Sequence, residues 1–204
     1  HNYWIKSNTI DAIYEKQKID ANELEQLISQ VKEKKINGIN VTVPFKKTII
    51  PFLDELSFEA ESTQSVNTIY LKDDKVVGHN TDIIGFETSI EKSKFNVFNK
   101  EVLILGAGGV VPSIIFALNK MKVSKIKISN RTKEKAENLK KLFKNIEIIE
   151  WGEVPNFDVI INATSLGLKK NDYINLDFSL ISKNSLFYDV IYNPRETNFL
   201  KTGK

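Results

Sequence analysis

The sequence contains no cysteine, and only two histidines and two arginines. The absence of cysteine excludes disulfides, thiolate chemistry and cysteine-based metal sites. The histidines, His1 and His79, lie far apart in the chain, so no pair has the spacing of a zinc site and we expect no bound metal. No apolar run approaches the roughly 20 residues needed to span a membrane. We therefore expect a soluble, cytoplasmic protein without a metal centre.

The charge balance also narrows the range of partners. The chain carries 29 basic and 26 acidic side chains, a formal net charge of +3. The basic residues are spread along the chain and form no dense block, so we expect no nucleic-acid partner. With 204 residues, 41% of them hydrophobic, the chain is long and apolar enough to bury a core. It suits one large domain or two small ones.

The first part of the chain mixes helices with short strands. The segment Asp20–Glu23 has capping-box spacing, and apolar residues follow at helical intervals as far as Val31. The predicted elements are a helix ending near Gly38, a strand at 39–43, a mostly helical stretch to about Ser62, a hairpin at 66–77 and a linking helix at 83–93.

From Glu101 onward, strands and helices alternate at short intervals. The predicted strands are 102–105, 125–129, 146–149, 158–161 and 186–190, with helices after the first and second. This alternation predicts an α/β fold with a parallel sheet and right-handed crossovers. We expect two domains, with the boundary between about 83 and 100.

A glycine-rich turn lies between the first of these strands and its helix. The turn consists of Gly106, Ala107, Gly108 and Gly109, and it supplies the first two glycines of a dinucleotide-binding fingerprint. Glycines at these positions let the backbone approach a pyrophosphate at the helix N-terminus. The last fingerprint position is Val111, which is bulkier than the usual Gly or Ala. An ordinary strand–helix turn is the alternative interpretation, and the flanking elements favour cofactor binding.

The end of the next strand predicts which cofactor binds. NAD enzymes usually place an acidic residue there to bind the ribose 2′-hydroxyl, whereas this chain has Asn130, Arg131 and Thr132. An arginine can stack on the adenine and pair with a 2′-phosphate, and Lys135 adds charge one turn later. Thr132 could instead simply cap a solvated helix. The pattern favours NADP.

Lys46 and Asp82 are candidates for proton transfer. A lysine and an aspartate on converging loops suit the oxidation of a secondary alcohol, in which a proton leaves as hydride departs. From spacing alone, however, Lys46 is one of 27 lysines and could lie on the surface. Asp82 could equally be an acidic residue at a helix N-terminus.

The order of several motifs resembles that of shikimate dehydrogenases over nearly the whole chain. The segments that carry the resemblance are Asn40-Val-Thr-Val-Pro-Phe-Lys46, Ser65-Val-Asn-Thr68, Asn80-Thr-Asp82, Gly106-Ala-Gly-Gly109, Asn130-Arg-Thr132, Asn162-Ala-Thr-Ser-Leu-Gly167 and Asp189-Val-Ile-Tyr-Asn-Pro194.

The resemblance implies a fold, a reaction and a role for each motif. It implies a smaller α/β substrate domain (1–85), a Rossmann-type NADP-binding domain (86–204) and a cleft between them. It implies NADP-dependent interconversion of 3-dehydroshikimate and shikimate in aromatic amino-acid (chorismate) biosynthesis, and leaves a homodimer open. The implied roles are acid/base for Lys46 and Asp82, substrate binding for Thr42, Asn67, Asp82 and Tyr192, and contact with the nicotinamide end of the cofactor for Asn162, Thr164 and Ser165.

Two family segments are not matched, and other functions stay open. The family's carboxylate-binding Ser-x-Ser would precede His1, and its C-terminal helix with a substrate-binding Gln would follow Lys204. We therefore expect these 204 residues alone to bind NADP but to turn over shikimate slowly. The alternatives are a broader quinate/shikimate dehydrogenase, a folate-linked methylene dehydrogenase and a non-catalytic NADP- or ligand-sensing relative.

Overall fold

The computed structural model describes residues 1–169 and 171–204 and contains two β-sheets. The first sheet consists of β1 (Gly38–Asn40), β2 (Glu55–Leu56), β3 (Thr68–Lys72) and β4 (Lys75–His79), in the order β1-β3-β4-β2. The β3–β4 pair is the predicted hairpin, and it is antiparallel. By contrast, β2 runs parallel to β4, which makes the sheet mixed.

Four α-helices occur in the same part of the chain as the first sheet. They are α1 (Asn2–Ser7), α2 (Leu24–Lys32), α3 (Phe58–Thr63) and α4 (Asp82–Ser93). The predicted capping box precedes α2, because the Asp20 N–H donates to Glu23 Oε2 at 2.6 Å. The apolar face of α2 then packs on the sheet through Leu24, Ile28 and Val31.

Three sequence predictions in this region were wrong in their extent. The helix expected to end near Gly38 ends at Lys32, and Gly38 is the first residue of β1. The strand expected at 39–43 ends at Asn40, because the chain turns and the Phe45 N–H donates to Thr42 O. The mostly helical stretch to Ser62 is divided into a short 3₁₀ turn at Ile50–Phe52, the strand β2 and the helix α3. The Ser57 hydroxyl begins α3 by accepting the Ala60 N–H, as an N-cap serine does.

The second sheet is wholly parallel and confirms the α/β prediction. Its strands are β5 (Glu101–Leu105), β6 (Lys125–Ser129), β7 (Ile146–Ile149), β8 (Val159–Asn162) and β9 (Leu186–Asp189). Their order is β7-β6-β5-β8-β9, so the chain leaves the central strand β5 first to one side and then to the other. In such sheets ligands bind at the carboxyl ends of the strands where this reversal occurs, which is the end of β5.

The core of the second sheet explains how the bulky Val111 is accommodated. Helices α5 (Val111–Lys120) and α6 (Lys133–Leu142) follow β5 and β6, and a short α7 (Asn198–Thr202) follows β9. Val111 is fully buried in the same apolar cluster as Val102 and Ile104, so its side chain fills core volume. Among the described residues, no helix is both long and apolar enough to cross a membrane.

Candidate active site

Lys46 and Asp82 form a close ion pair. The Lys46 ammonium donates to Asp82 Oδ2 at 2.6 Å, and their side chains are 15% and 22% exposed. The two residues are 36 positions apart. Lys46 follows the turn after β1, and Asp82 is the first residue of α4. The structure therefore joins the two predicted catalytic residues at a partly shielded position.

Asn67 holds the second oxygen of the same carboxylate. Its side-chain NH₂ group donates to Asp82 Oδ1 at 2.8 Å, while its side-chain oxygen Oδ1 accepts the Thr81 N–H at 2.9 Å. The backbone of Asn67 is bound on both sides, since its N–H donates to His79 O and its carbonyl accepts the Val41 N–H. Asn67 thus orients the carboxylate that faces Lys46.

The other predicted substrate residues differ in their surroundings. Thr42 is exposed in the turn between β1 and Lys46, close in sequence to the ion pair. Tyr192 follows β9 and is 88% exposed. Because β9 pairs with β8 in the second sheet, Tyr192 lies at that sheet's carboxyl-end edge. The structure thus places Thr42 beside the first sheet and Tyr192 beside the second.

The glycine turn has the form of a phosphate-binding site. Gly106 has φ +108°, and its N–H donates to Ser129 O at 2.8 Å. A Cβ built on Gly109 would meet no atom within 4 Å, and one on Gly108 would meet only Ala163 O, at 3.6 Å. This open backbone, at the start of α5, can receive a pyrophosphate. The turn therefore fits the dinucleotide that the sequence predicted.

The residues expected to select the cofactor surround the start of α6. Arg131, Thr132 and Lys135 are all exposed, and Thr132 caps the helix without a side-chain hydrogen bond. The Asn130 amide donates to Thr132 O at 2.7 Å, which shapes the turn. Ser129 O binds the Gly106 N–H, so this turn lies beside the glycine turn.

The loop after β8 uses its polar side chains internally. The buried Asn162 donates to Asp189 and to Leu166 O, and its Oδ1 accepts the Thr164 hydroxyl at 2.7 Å. Thr164 Oγ1 in turn accepts the Leu166 N–H. These bonds give Asn162 and Thr164 a loop-shaping role, while Ser165 is exposed. Their contact with a cofactor stays a prediction.

Comparison with known proteins is consistent with this arrangement. Residues 1–69 match the shikimate dehydrogenase substrate binding domain, and residues 89–196 match the shikimate/quinate 5-dehydrogenase family. The chain is 62% identical over 204 residues to the shikimate dehydrogenase (NADP(+)) of Pelagibacter ubique strain HTCC1062, covering all of this chain and 77% of that protein. The chain belongs to the shikimate dehydrogenase family.

Solved shikimate dehydrogenases share the fold. The Aquifex aeolicus structure superposes with a TM-score of 0.86 at 38% identity, over 99% of this chain and 75% of that one. The Thermus thermophilus structure, solved in complex with NADP(H) and shikimate, gives a TM-score of 0.87 at 26% identity over 98% and 76%. The chain thus spans about three quarters of the length of these shikimate dehydrogenases.

Three residues that shape this candidate site had no role in the sequence prediction. Asp189 accepts the Asn162 amide, the Ile191 N–H and the Thr197 hydroxyl, and so joins the loops after β8 and β9. Asn80 is buried directly before α4. Asp189 and Asn80 lie inside motifs of the family resemblance, so the sequence could have indicated a role for them. For Thr197 the only sequence indication was the general preference of threonine for helix N-caps.

The carboxyl of Glu59 lies 3.8 Å from Nδ1 of His79, the residue before Asn80. Glu59 is in the first turn of α3, where its own backbone N–H lowers its pKa below 4.5 against the opposing effect of burial. The Ser57 hydroxyl and the imidazole of His79 lower that pKa further. His79 Nδ1 lies 2.8 Å from Ser57 Oγ, so the residue before Asn80 is tied to the start of α3.

Proposed function

We propose that this protein oxidises shikimate to 3-dehydroshikimate with NADP, and catalyses the reverse reduction. The observation that carries the proposal is the Lys46–Asp82 pair, held 2.6 Å apart. The glycine turn lies close to the loop that positions this pair, because the Ser65 hydroxyl donates to Gly109 O at 3.4 Å. Family membership, and the NADP-dependent shikimate dehydrogenase at 62% identity, support the same reaction.

Lys46 and Asp82 have different roles in proton transfer. When bound, NADP supplies the hydride acceptor for the carbon that bears the reacting hydroxyl. In the oxidation the neutral amine of Lys46 accepts the hydroxyl proton and becomes the ammonium, and in the reduction the ammonium returns the proton to the forming hydroxyl, as a positioned general acid/base does. Asp82 balances the charge on Lys46, and Asn67 holds Asp82 through its other oxygen. Thr42, Asn67 and Tyr192 bind the remaining polar groups of the substrate.

The residues proposed to bind the cofactor lie at the carboxyl ends of the strands of the second sheet. The turn Gly106–Gly109 and the N-terminus of α5 receive the pyrophosphate. Arg131 pairs with the 2′-phosphate, supported by Asn130, Thr132 and Lys135. The loop residues Asn162, Thr164 and Ser165 flank the nicotinamide end. No acidic side chain stands at 130–132 to favour NAD instead.

The division of the chain belongs to the same proposal. Residues 1–85 form the substrate domain, and residues 86–204 form the NADP-binding domain. A homodimer and a cytoplasmic location stay predictions. Sedimentation of the purified chain tests the first, and fractionation of the cells that produce it tests the second.

Steady-state rates test the proposed function directly. The purified chain is assayed with shikimate and with quinate, each with NADP and with NAD. We expect the highest kcat/KM for the shikimate–NADP pair. Equal rates with quinate would indicate the broader quinate/shikimate dehydrogenase. Because slow turnover is expected of these 204 residues, the assay uses saturating substrate and long reaction times, and binding of NADP without any turnover under those conditions would indicate a ligand-sensing protein.

A further inference from the structure

Asn80 occupies a buried polar position behind the catalytic pair. It is 1% exposed, and its side-chain oxygen accepts the Asp82 N–H at 3.0 Å. Its amide nitrogen lies 2.9 Å from Ser65 O, 2.9 Å from Ser113 Oγ and 3.1 Å from Thr63 Oγ1. Asn80 therefore joins the residue that carries the catalytic carboxylate to the end of α3, to the loop after α3 and to α5.

Two neighbouring groups determine the orientation of the Asn80 amide, because one can only accept a hydrogen bond and the other can only donate one. The Ser65 carbonyl can only accept, so it must face the NH₂ group. The Asp82 N–H can only donate, so it must face the oxygen. A flipped amide would leave both groups unpaired, which is unfavourable above all for the carbonyl of the buried Ser65. The side chain thus has one orientation, which fixes the backbone of Asp82.

Ser113 connects this arrangement to the cofactor side. It is fully buried in the first turn of α5, the helix that begins after the glycine turn. Among the described residues, Asn80 is the one partner with which the Ser113 side chain forms hydrogen bonds. The Ser113 hydroxyl lies 2.9 Å from the amide nitrogen of Asn80 and 3.3 Å from its side-chain oxygen. A buried hydroxyl without that partner would be destabilising, so the pair is held together.

A second pair keeps α4 and α5 in the same register. The Lys120 ammonium donates to the buried Glu87 Oε2 at 2.9 Å, and these residues are 33 positions apart, as Asn80 and Ser113 are. Glu87 and Lys120 each lie seven residues beyond the first pair, so the two helices run side by side in the same direction. The start of α4 and the start of α5 therefore cannot slide past one another without breaking both pairs.

We propose that Ser113 and Asn80 are positioning residues that hold Asp82 in place relative to the cofactor-binding turn. Asn80 acts on the Asp82 backbone, and Ser113 fixes Asn80 to the helix that receives the pyrophosphate. Neither side chain reaches the substrate or the cofactor, because both are buried behind the loop. The inference rests on the proposed function for its kinetic effect, and on the structure for the bond between Asn80 and the Asp82 N–H.

The variant Ser113→Ala tests the proposal. It removes one hydroxyl at a helical position that alanine suits, so we expect a folded protein. Small displacements of a catalytic group reduce turnover strongly, and we expect kcat to fall by about five- to fiftyfold. The dissociation constants of NADP and shikimate should change by less than about threefold, because no contact to either is removed.

The matched control is Ser185→Ala. The Ser185 hydroxyl donates to Phe157 O at 2.7 Å, directly before β9. Ser185 therefore lies at the amino end of its strand, whereas the site is at the carboxyl ends of the strands. This variant should keep the wild-type kcat. If Ser113→Ala does not fold, the isosteric Thr63→Val removes another partner of Asn80 and should lower kcat in the same direction.

An isotope effect separates positioning from a merely structural role. Shikimate deuterated at the reacting carbon should show a larger isotope effect on kcat in Ser113→Ala than in the wild type, because hydride transfer becomes slower. Partial unfolding would lower the number of NADP-binding sites but leave the rate per site and the isotope effect unchanged. An unchanged rate per NADP-binding site overturns the proposal.

Hydrogen exchange at the Asp82 amide decides the proposal independently of turnover. We expect faster exchange in Ser113→Ala than in Ser185→Ala, and equal exchange overturns the positioning role. If the wild-type chain oxidises no shikimate even at saturating substrate and long reaction times, the proposed function fails on that result alone. The exchange comparison then still decides whether Ser113 holds Asn80 against the Asp82 N–H.

Discussion

Gly106 lies directly against the backbone of Ala163, so the turn after β5 touches the loop after β8. A Cβ at Gly106 would lie 2.8 Å from both the carbonyl carbon and the carbonyl oxygen of Ala163. The φ of +108° at Gly106 is also one that residues with side chains rarely adopt. The contact brings together two of the loops proposed to hold the cofactor.

Replacement of Gly106 by alanine should destabilise the protein. We expect Gly106→Ala to lower the free energy of unfolding by about 2–4 kcal/mol, from backbone strain together with the clash against Ala163. Gly109→Ala is the control in the same turn, because its Cβ would meet nothing within 4 Å. Urea unfolding of the two variants measures the difference, and equal stability would show that the turn can relax away from Ala163.

Loss of the acid/base pair should reduce turnover more than binding. We expect Lys46→Ala to lower kcat by about 10²–10⁴-fold, with a smaller change in the dissociation constant of shikimate. Lys47→Ala removes the exposed neighbouring lysine and should leave kcat unchanged. Asp82→Asn should act on the same step, so the double variant should lose less than the product of the single effects. Effects that multiply would indicate two independent steps.

Removal of Arg131 should weaken NADP selectively. A charge-assisted contact to the 2′-phosphate contributes about 1.5–3 kcal/mol, so Arg131→Ala should raise the dissociation constant of NADP roughly ten- to a hundredfold. The dissociation constant of NAD, which lacks that phosphate, should hardly change. Lys140→Ala, at the other end of α6, serves as the charge control. Titration calorimetry measures the dissociation constants of both cofactors for both variants, and an equal loss for both cofactors would assign Arg131 to folding.

Asp158 should make the stability of the second sheet dependent on acid pH. Burial alone would raise the pKa of Asp158, but bonds from the Glu101 N–H at 2.9 Å and from Lys100 at 3.0 Å bring it below 3.8. Because the folded-state pKa is lower than the unfolded one, the ionised carboxyl stabilises the fold above about pH 3.8. That contribution disappears as the pH falls through the lower, folded-state value.

The isosteric Asp158→Asn variant isolates this effect. We expect it to be less stable than the wild type near neutral pH, with the difference shrinking as the pH falls below about 3.8. Urea unfolding of both proteins between neutral and acid pH measures the gap. A gap that stays constant with pH would show that Asp158 acts through its shape and not through its charge.

The parallel sheet was largely predictable because its signals are local. An apolar strand, a glycine turn and a helix follow one another at β5 and α5, and a strand is again followed by a helix at β6 and α6. The capping box at Asp20–Glu23 likewise depends on residues three apart. The extent of the elements near Ser57 was not predictable, because pairing of β2 with β4 competes there with helix formation. The end of β1 at Asn40 was not predictable either, because it depends on the turn in which the Phe45 N–H donates to Thr42 O.

The sequence by itself determined the order of the motifs, the family and the residue types available for proton transfer and phosphate binding. Only the tertiary structure decided that Lys46 meets Asp82, that Asn67 takes the second carboxylate oxygen and that Ser113 reaches Asn80. These contacts join residues 15 to 36 positions apart. Hydrogen bonds of this kind form where the packing of two sheets and two helices brings donors and acceptors within about 3 Å, and no local pattern in the chain encodes that distance.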